Sequence, residues 1–340
     1  MIPRVTVLLP FHQAGPTLET AITSLLEDHF SEMEVWLLDD GSEDEGVEIA
    51  RRLSQYPRVI WKRGPHRGLV DTLNRGLAEV RSPQVARMDA DDFSLPGRLQ
   101  AQLLYLEHHP EVGVVDGLVE MWSPDGVVGA GMDHFGSRLN SLTDQAKLKA
   151  QLFVDSPLVH PAICGHTDLL RQVGGYVGGV PEDYHLWLRV VLAGRTLAKL
   201  PQPVLRWRDH PRRLTRTHQD YARSRFFEVK WHFLHRLGIL STDRPLVVWG
   251  AGKEARPWLA RLRAGGYPVV GVVDIDPAKQ GTTRHSFPTY PIEKVLDLPW
   301  QTGLIAVGAR GARGLIITWL EAHGISVGGD FGGRGFWPVA

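Results

Sequence analysis

Over the first third of the chain, short apolar runs alternate with stretches whose apolar residues recur at helical spacing. This alternation predicts βαβ units on a mostly parallel sheet. The apolar runs place strands at 5–9, 34–38, 58–61, 84–88 and 112–115. Leu18, Ile22, Leu25 and Leu26 share a helical face after the first strand, and Leu69, Leu73, Leu77 and Val80 share one after the third. Residues 116–155 are richer in Gly, Asp and Ser and lose periodicity, so they read as an insertion or irregular crossover. Pro181 and Gly194 then punctuate the two ends of a helix, and helical spacing returns over 221–240.

A second series starts at Pro245. Residues 246–249 read as a strand, Gly250-Ala251-Gly252-Lys253-Glu254-Ala255 as a turn into a helix, 269–273 and 304–307 as strands, and 314–323 as a helix. The pattern predicts a first α/β domain over 1–240 and a small Rossmann-like α/β domain over 245–340, joined around 238–244. A chain of 340 residues is long enough for both to bury a core.

Composition narrows the partners. Acidic and basic residues balance at 38 each, which excludes a global field for nucleic acid and leaves only local electrostatics. Cys164 is the single cysteine, so no internal disulfide forms and a reducing, cytoplasmic setting is expected. Met1-Ile2-Pro3-Arg4 lacks a signal-peptide pattern, and no apolar run approaches the roughly 20 residues of a membrane span.

Candidate chemistry gathers where open parallel sheets hold ligands, just past the carboxyl ends of strands. Pro10-Phe11-His12 follows the first strand, Asp39-Asp40-Gly41-Ser42 the second, and Asp89-Ala90-Asp91-Asp92 the fourth. Three carboxylates within four residues repel one another unless a cation neutralises them or water solvates them. In an extended segment Asp89 and Asp91 point the same way, and hard oxygen ligands suit Mg²⁺ or Mn²⁺. Read alone, the cluster also fits a solvated loop in which Asp92 or Ser94 caps a helix near Pro96. Asp39-Asp40-Gly41-Ser42 equally fits a turn, with Ser42 as a cap. Glu182 and Asp183 suit the first turn of the helix opened by Pro181 through its dipole, and an ionised Asp183 also suits a general base.

Taken together and in order, these residues resemble glycosyltransferase family 2, of the nucleotide-sugar-binding α/β type called GT-A. The resemblance covers about residues 5–218. It rests on Val5-Thr6-Val7-Leu8-Leu9-Pro10, Leu38-Asp39-Asp40-Gly41-Ser42, Gly68-Leu69-Val70-Asp71-Thr72-Leu73-Asn74-Arg75-Gly76 and Ala86-Arg87-Met88-Asp89-Ala90-Asp91-Asp92. Gly174-Gly175-Tyr176, Glu182-Asp183 and Arg206-Trp207-Arg208-Asp209-His210 complete it.

The resemblance implies an inverting transferase acting on a nucleoside-diphosphate sugar, UDP-linked by expectation, in cell-envelope, capsule or exopolysaccharide synthesis. It puts Pro10, Phe11, Asp39, Asp89 and Arg87 on the donor nucleotide and Asp91 and His210 at the metal. Arg206, Arg208 or Arg212 would lie on the departing diphosphate. Asp183 would be the base, with Glu182, His160 and Tyr176 around a saccharide or lipid-linked acceptor. Thr72 departs from the family pattern, where Ala is common, and Ser156-Pro157 stands where Asn-Pro is frequent.

Two features remain outside that resemblance. Gly250-x-Gly252-x-x-Ala255 with Asp274 after the next strand is the context of a dinucleotide fingerprint, and it also fits close glycine packing. A nucleotide or acyl-carrier cofactor is the expected ligand there. Arg223, Arg225, Lys230, His232, His235 and Arg236 interleave with aromatic residues on one helix, which suits peripheral contact with the inner face of a membrane or packing between domains. The rival functions are a sugar nucleotidyltransferase, which would need a Gly-rich basic loop that Leu9-Pro10-Phe11-His12 does not supply, and a non-catalytic nucleotide or nucleotide-sugar sensor.

Overall fold

The computed structural model describes the whole chain except Met1, His29 and Arg212. Its contacts divide it into two compact units. One is Met1–Gln145 with Ser156–Phe226, and the other is Ala146–Asp155 with Phe227–Ala340.

The first unit opens with β1 (Val5–Phe11), α1 (Gly15–Leu26), β2 (Met33–Asp39), α2 (Gly46–Leu53), β3 (Val59–Arg63), α3 (Leu69–Glu79) and β4 (Gln84–Arg87). All seven residues of β1 are buried, as expected of a central strand covered on both faces. It pairs in parallel with β2 and β4, and β2 pairs in parallel with β3. Leu18, Ala21, Ile22 and Leu25 of α1 and Leu73 and Leu77 of α3 are the buried faces that their spacing predicts.

Next come β5 (Phe93–Ser94), α4 (Arg98–His108), β6 (Val112–Trp122) and α5 (Ala130–Asn140), with α6 (Gln145–Ala150) at the border of the units. Then β7 (Cys164–His166), α7 (Thr167–Gln172), α8 (Glu182–Leu192), β8 (Thr196–Arg208) and α9 (Leu214–Thr217) follow. The strand order is β3-β2-β1-β4-β7-β6-β8-β5, with β7 and β5 antiparallel to their neighbours, so the sheet is mixed.

The expectation of an irregular segment over 116–155 fails in part. β6 runs on to Trp122 because it pairs with β8 along its length, from Val112 opposite Thr196 to Trp122 opposite Arg208. Asp116 reads as a loop residue, yet it is fully buried against Lys199 of β8, a partner that local periodicity does not reveal.

The second unit carries most of α10 (Arg223–Arg236) and then β9 (Leu246–Trp249), α11 (Ala255–Ala264), β10 (Val269–Val273), β11 (Thr283–Arg284), β12 (Phe287–Tyr290), β13 (Thr302–Ile305), α12 (Ala312–Ala322) and β14 (Gly335–Pro338). The order is β11-β12-β10-β9-β13-β14, parallel except for the β11–β12 hairpin. The strand expected at 304–307 begins two residues earlier, since Thr302 already pairs with Leu246. The aromatic residues of α10 are used in packing: Phe227 meets Trp258 at 4.7 Å and Trp231 meets Tyr267 at 5.5 Å. That side of the helix is therefore occupied rather than offered to a bilayer. Among the described residues no helix is long and apolar enough to cross a membrane.

Candidate active site

The pairing of β1 with β2 and β4 sets three strand ends side by side, with Phe11 opposite Asp39 and Leu8 opposite Arg87. Beyond them opens a crevice of about 980 Å³ whose walls include Pro10, Phe11, His12, Asp40, Arg67, Asp89, Asp91, Glu182, Arg208, His210 and Tyr221.

The acidic cluster is built by the turn after β4. Asp89, Asp91 and Asp92 each bring a carboxylate oxygen within 4.8 Å of the others. Each is held differently. Asp89 Oδ1 accepts from Arg87 Nη2 at 2.6 Å, and Asp91 Oδ2 lies 3.1 Å from His210 Nε2. Asp92 is buried, its Oδ1 accepting the Arg208 backbone N–H at 2.9 Å while its Oδ2 has no hydrogen-bond partner among the described residues. Burial first, and then the charges of Asp89 and Asp91, push the Asp92 carboxyl well above the ordinary range.

Three convergent hard oxygens, together with an unsatisfied buried oxygen on Asp92, fit a divalent cation, which would offset their negative charge. The expected cap does not form. α4 starts after Gly97, which is left-handed at φ 76° and has no side-chain cap, while Ser94 N–H donates to Ser24 Oγ.

Arg87 is buried beneath the cluster. Burial opposes its charge, but Asp89, Tyr176 and Glu182 together outweigh that and raise its pKa. Its Nε and Nη1 find no partner among the described residues. Arg98, also buried, donates to the Arg87 carbonyl at 2.7 Å and so fixes the end of β4.

At the other wall Asp39 and Asp40 differ. Asp39 is fully buried, with Oδ1 accepting the Ser42 N–H at 2.7 Å and Oδ2 3.5 Å from Arg63 Nε, so it lies beneath the crevice rather than on its wall. Ser42 caps no helix; its Oγ accepts from Gln13 N–H. Asp40 is on the wall and organises the next loop. It accepts from Arg67 N–H at 2.8 Å, Gly68 N–H at 2.9 Å and the Thr72 hydroxyl at 2.9 Å. Burial works against the Asp40 charge, yet these donors hold its pKa below the usual value. The Thr72 departure thus has a purpose, a hydroxyl aimed at Asp40. His12 and His66 stack at 4.0 Å on the same side.

α8 supplies the third set. Glu182 reaches the crevice wall and accepts from the Tyr221 hydroxyl at 2.6 Å, with His160 Nδ1 3.4 Å away. Asp183 is half-buried and accepts from Ser156 Oγ at 3.0 Å, so the Ser156 departure also has a partner. Burial first, then the Glu182 charge, raises the Asp183 pKa to about 6. Burial and then Arg87 lower His160 to about 3, so its ring is neutral near pH 7 and 3.2 Å from the Tyr176 hydroxyl.

Arg208 lines the crevice and stacks on Trp122 at 5.7 Å. Arg206 does not join it: it lies two residues before the end of β8, exposed beside Glu120 at 3.1 Å, whereas Arg208 is at the strand end that borders the crevice. Arg212 lies outside the described residues. Tyr221, Arg98 and Arg67 carry no sequence signal that would have singled them out.

In the second unit, Gly250, Gly252 and Asp274 come together at a separate cavity. Asp274 Oδ2 accepts the Ala251 N–H at 2.7 Å and Oδ1 the Asp276 N–H at 2.9 Å, so its carboxylate builds the glycine turn.

The family model described as Glycosyl transferase family 2 matches residues 6–156. The chain is 30% identical over 194 residues to the amylovoran biosynthesis glycosyltransferase AmsE of Erwinia amylovora, covering 56% of this chain and 70% of that one. It is 27% identical over 201 residues to the O-antigen biosynthesis glycosyltransferase WbnJ of Escherichia coli, covering 56% and 73%. Among solved structures it is similar to S. aureus TarS 1–349 in complex with UDP-GlcNAc, with TM-score 0.53 and 16% identity, covering 69% of this chain and 66% of that one. The chain thus spans just under two thirds of that solved chain, and the likeness shows the α/β GT-A fold.

Proposed function

The chain belongs to glycosyl transferase family 2, and from that premise we propose that its first unit moves a sugar from a nucleoside-diphosphate donor to an acceptor hydroxyl with inversion. The observation that carries this reading is the convergence of Asp89, Asp91 and Asp92 within 4.8 Å on one crevice. A carboxylate with a pKa raised to about 6 lies next in sequence to the crevice-wall residue Glu182.

Asp91 and His210 would hold Mg²⁺ or Mn²⁺, with Asp92 Oδ2 as a further oxygen donor. When bound, the ion would offset the negative charge that develops on the leaving nucleoside diphosphate. Asp89, held by Arg87, would take the ribose, and Pro10 and Phe11 would border the base, taken as uracil. Arg208 would add charge at the diphosphate. Asp183 would accept the acceptor's proton as the new C–O bond forms and the bond to the β-phosphate oxygen breaks. Attack from the face opposite the leaving group needs no second nucleophile, and it inverts the anomeric carbon. Glu182, His160 and Tyr176 would frame the acceptor, a saccharide or lipid-linked hydroxyl of the kind used in envelope, capsule or exopolysaccharide synthesis, consistent with the names of the relatives. Such a reaction would take place in the cytoplasm or at the inner membrane face.

A hydrolysis screen of UDP-, GDP- and dTDP-sugars with and without Mn²⁺ tests the donor. Product analysis by NMR tests the stereochemistry. Retention at the anomeric carbon, or undiminished turnover by Asp183→Asn, would overturn the mechanism.

A further inference from the structure

The second sheet contains its own topological switch point. From β9, the chain's next strand β10 lies on one side and β13 lies on the other, all parallel. In open α/β sheets the crevice at the carboxyl ends of such strands is where ligands bind. A cavity of about 650 Å³ occupies that place, within the range of small-ligand sites.

Its glycines divide by cause. A Cβ on Gly250, at φ +113°, would meet the Ala306 carbonyl oxygen at 2.8 Å, so this glycine is needed for the backbone and for packing. Gly252 differs. It has no positive φ, and a Cβ there would meet nothing within 4 Å. Neither strain nor packing demands a glycine at that position, whereas close approach of a ligand to the backbone does. The turn itself is held by Asp274, whose carboxylate accepts from the Ala251 and Asp276 N–H groups and from Lys279 Nζ at 3.3 Å.

The rim adds the shape of the ligand. Ile275 and Leu315, 72% and 76% exposed, both line the cavity, with Trp319 beside them. Large aliphatic side chains left in water at a cavity mouth suit a flat apolar ring that covers them. Five charged residues line the rest of the wall: Lys253, Glu254, Asp274, Asp276 and Lys279. Lys253 lies two residues before α11, and Lys279 is 3.3 Å from both Asp274 and Asp276.

The geometry points to a nucleoside 5′-phosphate as the occupant of this second cavity. The base would lie against Ile275 and Leu315, the ribose near Asp276, and the phosphate against the Gly252 backbone and Lys253. Free phosphate would bind far more weakly, because of the two lysines on the wall Lys279 is already paired with Asp274 and Asp276, which leaves Lys253 as the one without a carboxylate partner among the described residues. The site lies wholly in residues of the second unit, so failure of sugar transfer in the first unit would leave it standing.

The test is hydrogen–deuterium exchange of the full chain in EDTA with AMP, UMP, NAD or inorganic phosphate at millimolar concentration. AMP or UMP is expected to protect the segments around 250–256, 274–279 and 308–316, and phosphate is not. Gly252→Val, whose side chain enters open space, should keep the melting temperature of the parent while weakening that protection roughly tenfold or more. Leu315→Ala should weaken it by less. Absence of nucleotide protection, protection confined to the crevice of the first unit, equal protection of Gly252→Val, or protection by NAD but not by AMP would each overturn the inference.

Discussion

The two sheets open at equivalent places, and the second opening adds a rim of large apolar side chains that the first does not have to the same degree. In the first unit the strand ends and the start of α8 place Asp40, Asp89, Asp91, Arg208, His210 and Glu182 around about 980 Å³. In the second, Trp249 of β9, Ile275 after β10 and Leu315 and Trp319 of α12 stand around about 650 Å³, with Lys253, Glu254, Asp274, Asp276 and Lys279 as the charged residues of the wall. A parallel sheet thus supplies the location, and the loops supply the chemistry. Opposed charges held close and partly out of water make the first crevice a place where a cation and a proton acceptor can act, whereas the second cavity, with its apolar rim, is equipped to bind.

The sharpest way to break this contrast is Asp91→Ala. Metal-dependent transfer should fall by about 10³-fold, of the order lost when a key electrostatic group is removed. Binding in the second cavity should not change, and exchange protection in the same sample checks both. Asp183→Asn should lower kcat by roughly 10²- to 10⁴-fold with little change in donor KM, as removal of a general base does. If Glu182→Gln proved the more damaging change in steady-state assays, the base would move to Glu182.

The pH profile sharpens the same point. Asp183 is raised to about 6 by burial and then by Glu182, so its basic form is present above that pH. kcat/KM should drop roughly tenfold per pH unit below about 6. Glu182→Gln removes a neighbouring negative charge and should carry this acid limb to lower pH.

A smaller effect attends Thr72→Ala, which deletes a buried hydrogen bond to Asp40 and should cost about 1 kcal/mol in urea unfolding. Donor affinity should weaken as the loop holding Arg67 and Gly68 loosens. The smallest is Gly252→Val, for which the melting temperature should stay at the parent value.

Legibility followed the range of the interactions. The β1–β4 strands and the faces of α1 and α3 were readable because each buries a local, periodic set of residues. The far half of β6 was not, since its strand character comes from pairing with β8 about 85 residues away and from the buried Asp116–Lys199 pair. β7 was missed because three residues between irregular segments carry no period of their own.

The same division runs through the site. The order of the acidic motifs along the chain, their place at strand ends and the fingerprint at Gly250 and Gly252 are properties of the sequence alone. Folding decided the rest: that Asp92 turns inward to the Arg208 backbone, that Asp39 sinks beneath the crevice while Asp40 stays on its wall, that Arg206 pairs with Glu120 and that Tyr221 meets Glu182. These outcomes depend on which of two adjacent side chains a strand or turn points toward a partner many residues distant. Residue type sets what a carboxylate can do, but burial and neighbours, which exist only once the chain is folded, set its pKa and its partner.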